Sequence, residues 1–351
     1  MARSRPRGSG RFIDPTALKP IDRRPSTHLY PRLRSRRGPR LASRERRLGY
    51  LAVGVAAVLF GTWPSFSKIA LEELHPLTIV VYGQLIPGLL FAPTVRGLRL
   101  SSRDARLVLL TVATGGLLAP VLYFFGLELT TASNAVLLSN TESLFTVVLA
   151  FLLLRERLAR LGYACLAAMA VGAFFVTTDL RLGDASFLEH LLGNLLLVGS
   201  AFFWALTNTA STHLLKRIRV LPLLAFQLAL GSAFVLPFVF ASGASLAVPV
   251  GVIPVLAFLA LGGIGLFAVL FFHAFRTIGA MRTGSVLSTS SIWGLLLALY
   301  LFPAEVPGPW QAVGGTVMIA ALVALYATSE TRPAASDETL KPEASDGPRH
   351  P

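Results

Sequence analysis

Residues 137 to 158 read LLSNTESLFTVVLAFLLLRERL, an apolar stretch that carries Ser139, Asn140, Thr141, Glu142 and Ser143 in succession. Only Glu142 among these ionises readily, and a carboxyl in apolar surroundings has two chemical uses. It can bind and release a proton, because removal from water favours the neutral acid, or it can hold a cationic group of a solute. A bare charge at mid-helix costs about 2.5 to 3.5 kcal/mol on insertion scales, so the residue needs either a function or a partner. The plainer reading is a protonated Glu142 bonded to Ser or Asn on a neighbouring helix, such bonds averaging about 0.6 kcal/mol. At 100° per residue, Ala135, Ser139, Glu142, Thr146 and Ala150 form one small or polar stripe, which faces protein or water rather than lipid.

The elements that hold this stripe follow from composition. The chain is 54% hydrophobic and 14% charged, with the charge gathered in the tails and short loops. That pattern predicts an all-α polytopic membrane protein rather than a soluble domain. A bilayer core takes about 20 apolar residues in helical form. By that measure ten spans are expected, at 48–70, 76–95, 105–126, 131–154, 159–178, 190–213, 221–241, 253–276, 281–303 and 309–327. The loops at 96–106, 155–160, 214–220 and 276–282 hold twelve Arg or Lys, and the loops on the other side hold only Arg181. The positive-inside rule then places both termini in the cytoplasm of a multi-pass protein of the cell (inner) membrane.

Residues 1–47 carry fifteen Arg or Lys against three acids and no apolar run, so a disordered basic tail is expected there. A second polar, disordered cytoplasmic tail is expected at 328–351. The Arg residues of the first tail are not interleaved with a series of aromatic stacking platforms, which argues against a nucleic-acid partner. The only Cys, Cys165, falls within a span, which excludes a disulfide framework and a thiolate metal site. Without a phosphate loop, a metal-spaced His and Cys set or a hydrolase elbow, no enzyme, cofactor or ATP-driven pump is expected. The partners expected are a small-molecule solute, protons and the lipid bilayer, with the choice between monomer and homodimer left open.

A slide of 149 residues lays SNAVLLSNTESLFTVVLAFLLLRERL (133–158) over RTGSVLSTSSIWGLLLALYLFPAEVP (282–307) without a gap. Ser139 then meets Ser288, Asn140 meets Thr289, Glu142 meets Ser291 and Glu156 meets Glu305. A slide of 144 brings Gly49 over Gly193 and Phe60 over Trp204. Two copies of five spans follow, and an odd number inverts the second copy in the membrane. Inverted repeats of this kind place a solute site near the midplane, between the halves.

Other intramembrane polar residues are candidates for the same site. Pro64 in GTWPSF removes an N–H and leaves a carbonyl available to a ligand, and the adjoining Trp63 can stack on a solute or anchor at the interface. Tyr82, Gln84, Tyr123 and Asn208 are cavity candidates. His273, beside Arg276, reads more as a boundary residue than as a proton relay. The run STSS (288–291), with Ser288, Thr289 and Ser291, is the expected partner of Glu142, because the repeat sets it opposite.

The motifs NAVLLSNTESLFTVVLAFLLLRERL and GSVLSTSSIWGLLLALYLFPAEV, with FFGLELTTAS and FHAFRTIGAM upstream of them, resemble the EamA-type branch of the drug/metabolite transporter (DMT) superfamily. The resemblance runs over about 48–327, with FPAEV in the second copy a departure from LRERL in the first. It implies ten transmembrane helices in two inverted five-helix EamA-like repeats, 48–178 and 190–327. It also implies a cavity walled by spans 1, 3, 4, 6, 8 and 9. The implied activity is secondary transport, gradient- or exchange-driven, of a small metabolite, amino acid or amine. Export by alternating access is the expected direction, with Glu142 as the proton or cation site. The competing reading is a membrane-embedded binding or accessory protein, or an intramembrane lipid-acting enzyme, on the same fold.

Overall fold

The computed structural model describes residues 39–97, 100–154, 160–180 and 187–330. Most of the basic tail, Glu156, Arg181 and the chain beyond Glu330 lie outside the described residues. All regular structure among the described residues is helical. Seven helices are each long and apolar enough to cross a membrane: Glu45–Leu71, Pro76–Val95, Ser102–Glu128, Arg160–Thr178, His190–Leu214, Val220–Ser242 and Val250–Ile278.

The first helix, α1 (Pro39–Leu71), starts before the expected span and so takes in the end of the segment read from sequence as tail. Then come α2 (Pro76–Phe91), α3 (Ser102–Thr111) and α4 (Ala119–Glu128). Between α3 and α4 the chain passes through a π-helical segment, Val112–Leu118, without a turn. The fourth expected span is divided into α5 (Ala132–Leu138) and α6 (Thr141–Leu154). Next are α7 (Arg160–Thr178), α8 (Phe187–Leu214) and α9 (Val220–Ser242). The short α10 (Ile253–Ala257) continues through a second π segment, Phe258–Leu266, into α11 (Phe267–Ile278). The ninth expected span is divided like the fourth, into α12 (Ala280–Leu287) and α13 (Ser290–Leu301), and α14 (Pro309–Glu330) ends the described chain.

Helix ends follow local chemistry. His75 and Ser101 accept from backbone N–H groups two and three residues on, at Leu77 and Asp104, which relieves the unbonded donors of a first turn. Gly243 closes α9 at φ 69°, and the next residue's N–H reaches the Val239 carbonyl. This is the left-handed cap that favours glycine.

Helices meet through small residues, as they must where apolar burial alone does not drive association. Gly126 of α4 faces Gly193 of α8, Gly172 of α7 faces Gly314 of α14, and Gly61 of α1 crosses Gly294 of α13. The largest buried cluster joins Tyr123, Phe124 and Leu127 of α4, Leu137 and Leu138 of α5, Ile79 and Val80 of α2, and Val235 and Val239 of α9. Outward faces stay apolar, with Leu90, Phe174, Leu195, Phe238 and Leu296 all exposed, a surface unsuited to water.

The Gly61 crossing gives a stability test. A side chain on Gly61 would land on the Ser290 carbonyl, whereas one on Gly54, in the same helix, meets nothing within 4 Å. Gly61→Val should cost about 1 to 3 kcal/mol through overpacking, while Gly54→Ala stays within about 0.5 kcal/mol. Thermal midpoints of the purified variants check this, and equal midpoints would refute the crossing.

Candidate functional site

The polar run at 139–143 lies at the division between α5 and α6. There the backbone leaves the α-helical pattern: the Asn140 N–H reaches Leu137 O at 3.2 Å, Glu142 N–H reaches Ser139 O and Ser143 N–H reaches Asn140 O, each three residues back. Side chains return to the carbonyls of the same turn. Ser139 Oγ donates to Val136 O at 2.7 Å, Asn140 Nδ2 to Leu137 O at 3.0 Å and Thr141 Oγ1 to Leu138 O at 2.6 Å. Short polar side chains compete with the helix ladder in this way, and within a membrane such compensation is required.

The second copy does the same at the aligned positions. Thr289 N–H reaches Val286 O and Ile292 N–H reaches Thr289 O, while Thr289 Oγ1 donates to Val286 O at 2.7 Å. Leu137 and Val286 are themselves partners under the slide of 149. Both divided helices thus use one device at one repeat position, and the two divisions are joined. Ser291 Oγ donates to Asn140 Oδ1 at 3.0 Å, with both residues buried.

Two expectations are corrected here. The stripe Ala135, Ser139, Glu142, Thr146 and Ala150 assumes an unbroken helix, and the break at 139–140 interrupts its 100° step. Secondly, the partner of Glu142 is not the 288–291 run. Asn208 of α8 donates from Nδ2 to Glu142 Oε1 at 2.6 Å. One more step along the slide of 144 aligns Asn208 with Pro64, so the polar pair of one copy corresponds to Pro64 beside Ser291 in the other. A small cavity lined by Gly61, Pro64, Ser139 and Ser291 marks that second place.

One turn back along α8 from Asn208 stands Trp204. It closes an aromatic group with Trp63 of α1 and with Tyr123 and Phe124 of α4. Trp63 stacks on Tyr123 at 4.7 Å between ring centroids, Tyr123 meets Trp204 at 5.4 Å, and Trp63 meets Trp204 at 6.2 Å. Trp63 also packs on Gly263 of the second π segment, so it belongs to the interior and is not an interface anchor. Its Nε1 is buried without a partner. The Tyr123 hydroxyl faces the Ser67 hydroxyl, yet neither completes a bond in good geometry. Buried donors in that condition are ready for a solute or water. Sequence reasoning found Trp63 and Tyr123 but did not assign Trp204 or Ser67; their i, i+4 spacing from Asn208 and Trp63 was the available signal.

The remaining candidates do not join this group. Tyr82 donates its hydroxyl to Leu246 O at 2.9 Å and fixes the chain after α9. Gln84 Nε2 donates to Gly116 O at 2.9 Å, a carbonyl of the first π segment. His273 is exposed in α11, with its carbonyl accepting from Thr277. Ser288, buried and beside Thr289, belongs to the second helix division. No group of three or more His, Cys, Asp or Glu able to hold a metal occurs among the described residues.

A carboxylate with an amide donor, one helical turn from stacked indole and phenol rings, suits a cationic or hydrogen-bonding small solute. The model of the EamA-like transporter family matches residues 47–178 and 191–327. An uncharacterized transporter of Methanothermobacter thermautotrophicus is 29% identical over 302 residues, covering 80% of this chain and 87% of that one. The uncharacterized transporter YcxC of Bacillus subtilis is 28% identical over 179 residues, covering 49% and 55%. A solved crystal structure shares the fold with a TM-score of 0.56 at 16% identity, over 82% of this chain and 98% of that one.

The bond between the two divisions is open to a double-mutant cycle. Ser291→Ala and Asn140→Ala, singly and together, should give a coupling of about 0.6 kcal/mol and no more than about 1.7 kcal/mol. Additive midpoint changes would mean that the bond does not join the two copies.

Proposed function

This chain belongs to the EamA-like transporter family, and we propose that it is a secondary transporter of a small metabolite, amino acid or amine. Ten spans in two inverted five-span copies, both termini cytoplasmic, carry it through the inner membrane. It works by alternating access, as an exporter, and Glu142 is the proton or cation site. The observation that carries this reading is the pairing of Glu142 with Asn208 beside a helix division that recurs in the other copy.

Physical reasons support the site, the paired helix divisions and the multi-pass location. A carboxyl held between α6 and α8 by one hydrogen bond from the Asn208 amide can exchange that partner for a proton or a solute cation. The plainer alternative, polar glue alone, accounts for the Asn208 bond but not for the neighbouring unpartnered Trp63 Nε1. Helix divisions at matching positions supply paired points about which the copies can rock. Seven long apolar helices and the apolar outer faces support a multi-pass location.

Gln at position 142 keeps the acceptor for Asn208 and removes ionisation. Glu142→Gln should therefore fold with an unchanged midpoint and lose gradient-driven accumulation in proteoliposomes, since a group that does not ionise cannot couple solute to a proton. If Glu142 serves only the proton, solute exchange without a gradient persists; if it binds a cationic solute, exchange is lost too. Full accumulation by the Gln variant would overturn the assignment.

A further inference from the structure

A cavity of about 430 Å³ opens at the end of the molecule where α1, α4 and α7 finish and α5, α8 and α14 begin. Its walls come from both copies: Lys68, Glu128 and Asn134 from the first, Asn194 and Glu305 from the second, with Asp179 from the segment between them. It lies next to the aromatic group, since Lys68 follows Ser67 in α1 and Leu127, beside Glu128, lies one turn beyond Tyr123 in α4.

Three features point to a ligand. The size is that of a small-molecule pocket. The charge of the lining is one-sided: Glu128, Asp179 and Glu305 are carboxylates and Lys68 is the one fixed cation among the lining residues. Lys68 is already engaged, its Nζ donating to the Thr130 carbonyl at 2.6 Å and the Leu127 carbonyl at 2.9 Å at the end of α4. Independently, Asn134 is 2% exposed and its Oδ1 has no partner, although its Nδ2 is shared between Thr130 Oγ1 and Asn194 Oδ1. An acceptor buried without a donor is destabilising, and a ligand N–H would relieve it.

We propose that this cavity is a binding site for small organic ammonium ions, with Glu305 as the counter-charge and Asn134 Oδ1 as a hydrogen-bond acceptor. The carboxylates are held in place. Glu305 Oε2 accepts from the Ala132 N–H at 2.8 Å, at the start of α5, and Asp179 Oδ1 accepts from the Gln311 N–H at 3.2 Å, at the start of α14. One oxygen of Glu305 therefore fixes the side chain, and the other is available to an N–H group of the ligand. A neutral alcohol can donate to a carboxylate but brings no compensating charge, so it gains less than an ammonium, and an anion is repelled. The proposal rests on the transporter reading and deepens it by naming a solute class and an entry or exit site distinct from Glu142.

The test uses three four-carbon compounds of similar length and different charge: 1,4-diaminobutane, 1,4-butanediol and succinate. Binding to the purified full chain is read by thermal midpoint and by titration calorimetry, for the wild type and for Glu305→Gln, Asn134→Leu and Gly54→Ala. The diamine should bind and raise the midpoint, and the diol and succinate should not. Glu305→Gln keeps an acceptor for Ala132 and should weaken diamine binding about tenfold or more, with Gly54→Ala, which lies in neither site, unchanged. Asn134→Leu removes the acceptor together with the buried Nδ2 bonds to Thr130 and Asn194, so it should weaken diamine binding and also lower the ligand-free midpoint. Equal binding of diol and diamine, or diamine binding as tight in Glu305→Gln as in the wild type, would overturn the proposal. Diamine binding that depends on Glu305 in a protein that moves no solute would uphold the site and refute the transporter reading. Solute flux with no Glu305-dependent binding would do the reverse.

Discussion

Every backbone N–H and C=O inside a bilayer must find a partner within the protein, and the two divided helices of this chain are built around that constraint. Ser139, Asn140 and Thr141 return their side chains to the carbonyls of Val136, Leu137 and Leu138, and Thr289 does so to Val286. Without these bonds a tightened turn in mid-span would expose peptide groups to hydrocarbon. With them, each division is a stable bend, and Asn140 has an oxygen left to receive Ser291 from the other copy. The core packing, the α1 to α13 crossing and the position of Glu142 all depend on where these bends lie.

The same constraint explains an asymmetry with functional weight. The copies share the bend but not its neighbour: Glu142 with Asn208 in one, Ser291 with Pro64 in the other. Symmetric packing would need neither a carboxyl nor a proline. The proline withdraws an N–H from the Phe60 carbonyl, and the carboxyl adds a group that is tolerated in this setting only while bonded. One copy thus offers chemistry and the other a kink, and the aromatic group of Trp63, Tyr123 and Trp204 spans the gap between them.

Much of this was legible in the sequence. Hydropathy alone places the apolar helices, and the slide of 149 finds the equivalence of Ser139 with Ser288 that the backbone later repeats. Helix periodicity failed at the bend, because a 100° step presumes an unbroken ladder, although Ser, Asn and Thr in succession are the residues that bond back to carbonyls. The partner of Glu142 was missed for a related reason. Repeat symmetry points to Ser291, but Ser291 is taken by Asn140, and Asn208 reaches Glu142 from a helix whose counterpart carries Pro64. The cavity at the Glu305 end was illegible, since its walls come from six segments that only the folded chain brings together.

In the proposed cycle Glu142 exchanges a proton or cation as solute crosses between the two copies. The most direct measurement is proton movement in proteoliposomes carrying a solute identified by binding, reported by an internal pH dye as a solute gradient is imposed without a membrane potential. The account predicts proton flux coupled to solute in the wild type and its loss in Glu142→Gln, or, for a cationic solute, loss of both fluxes together. Solute flux in the Gln variant with its proton coupling intact would contradict it.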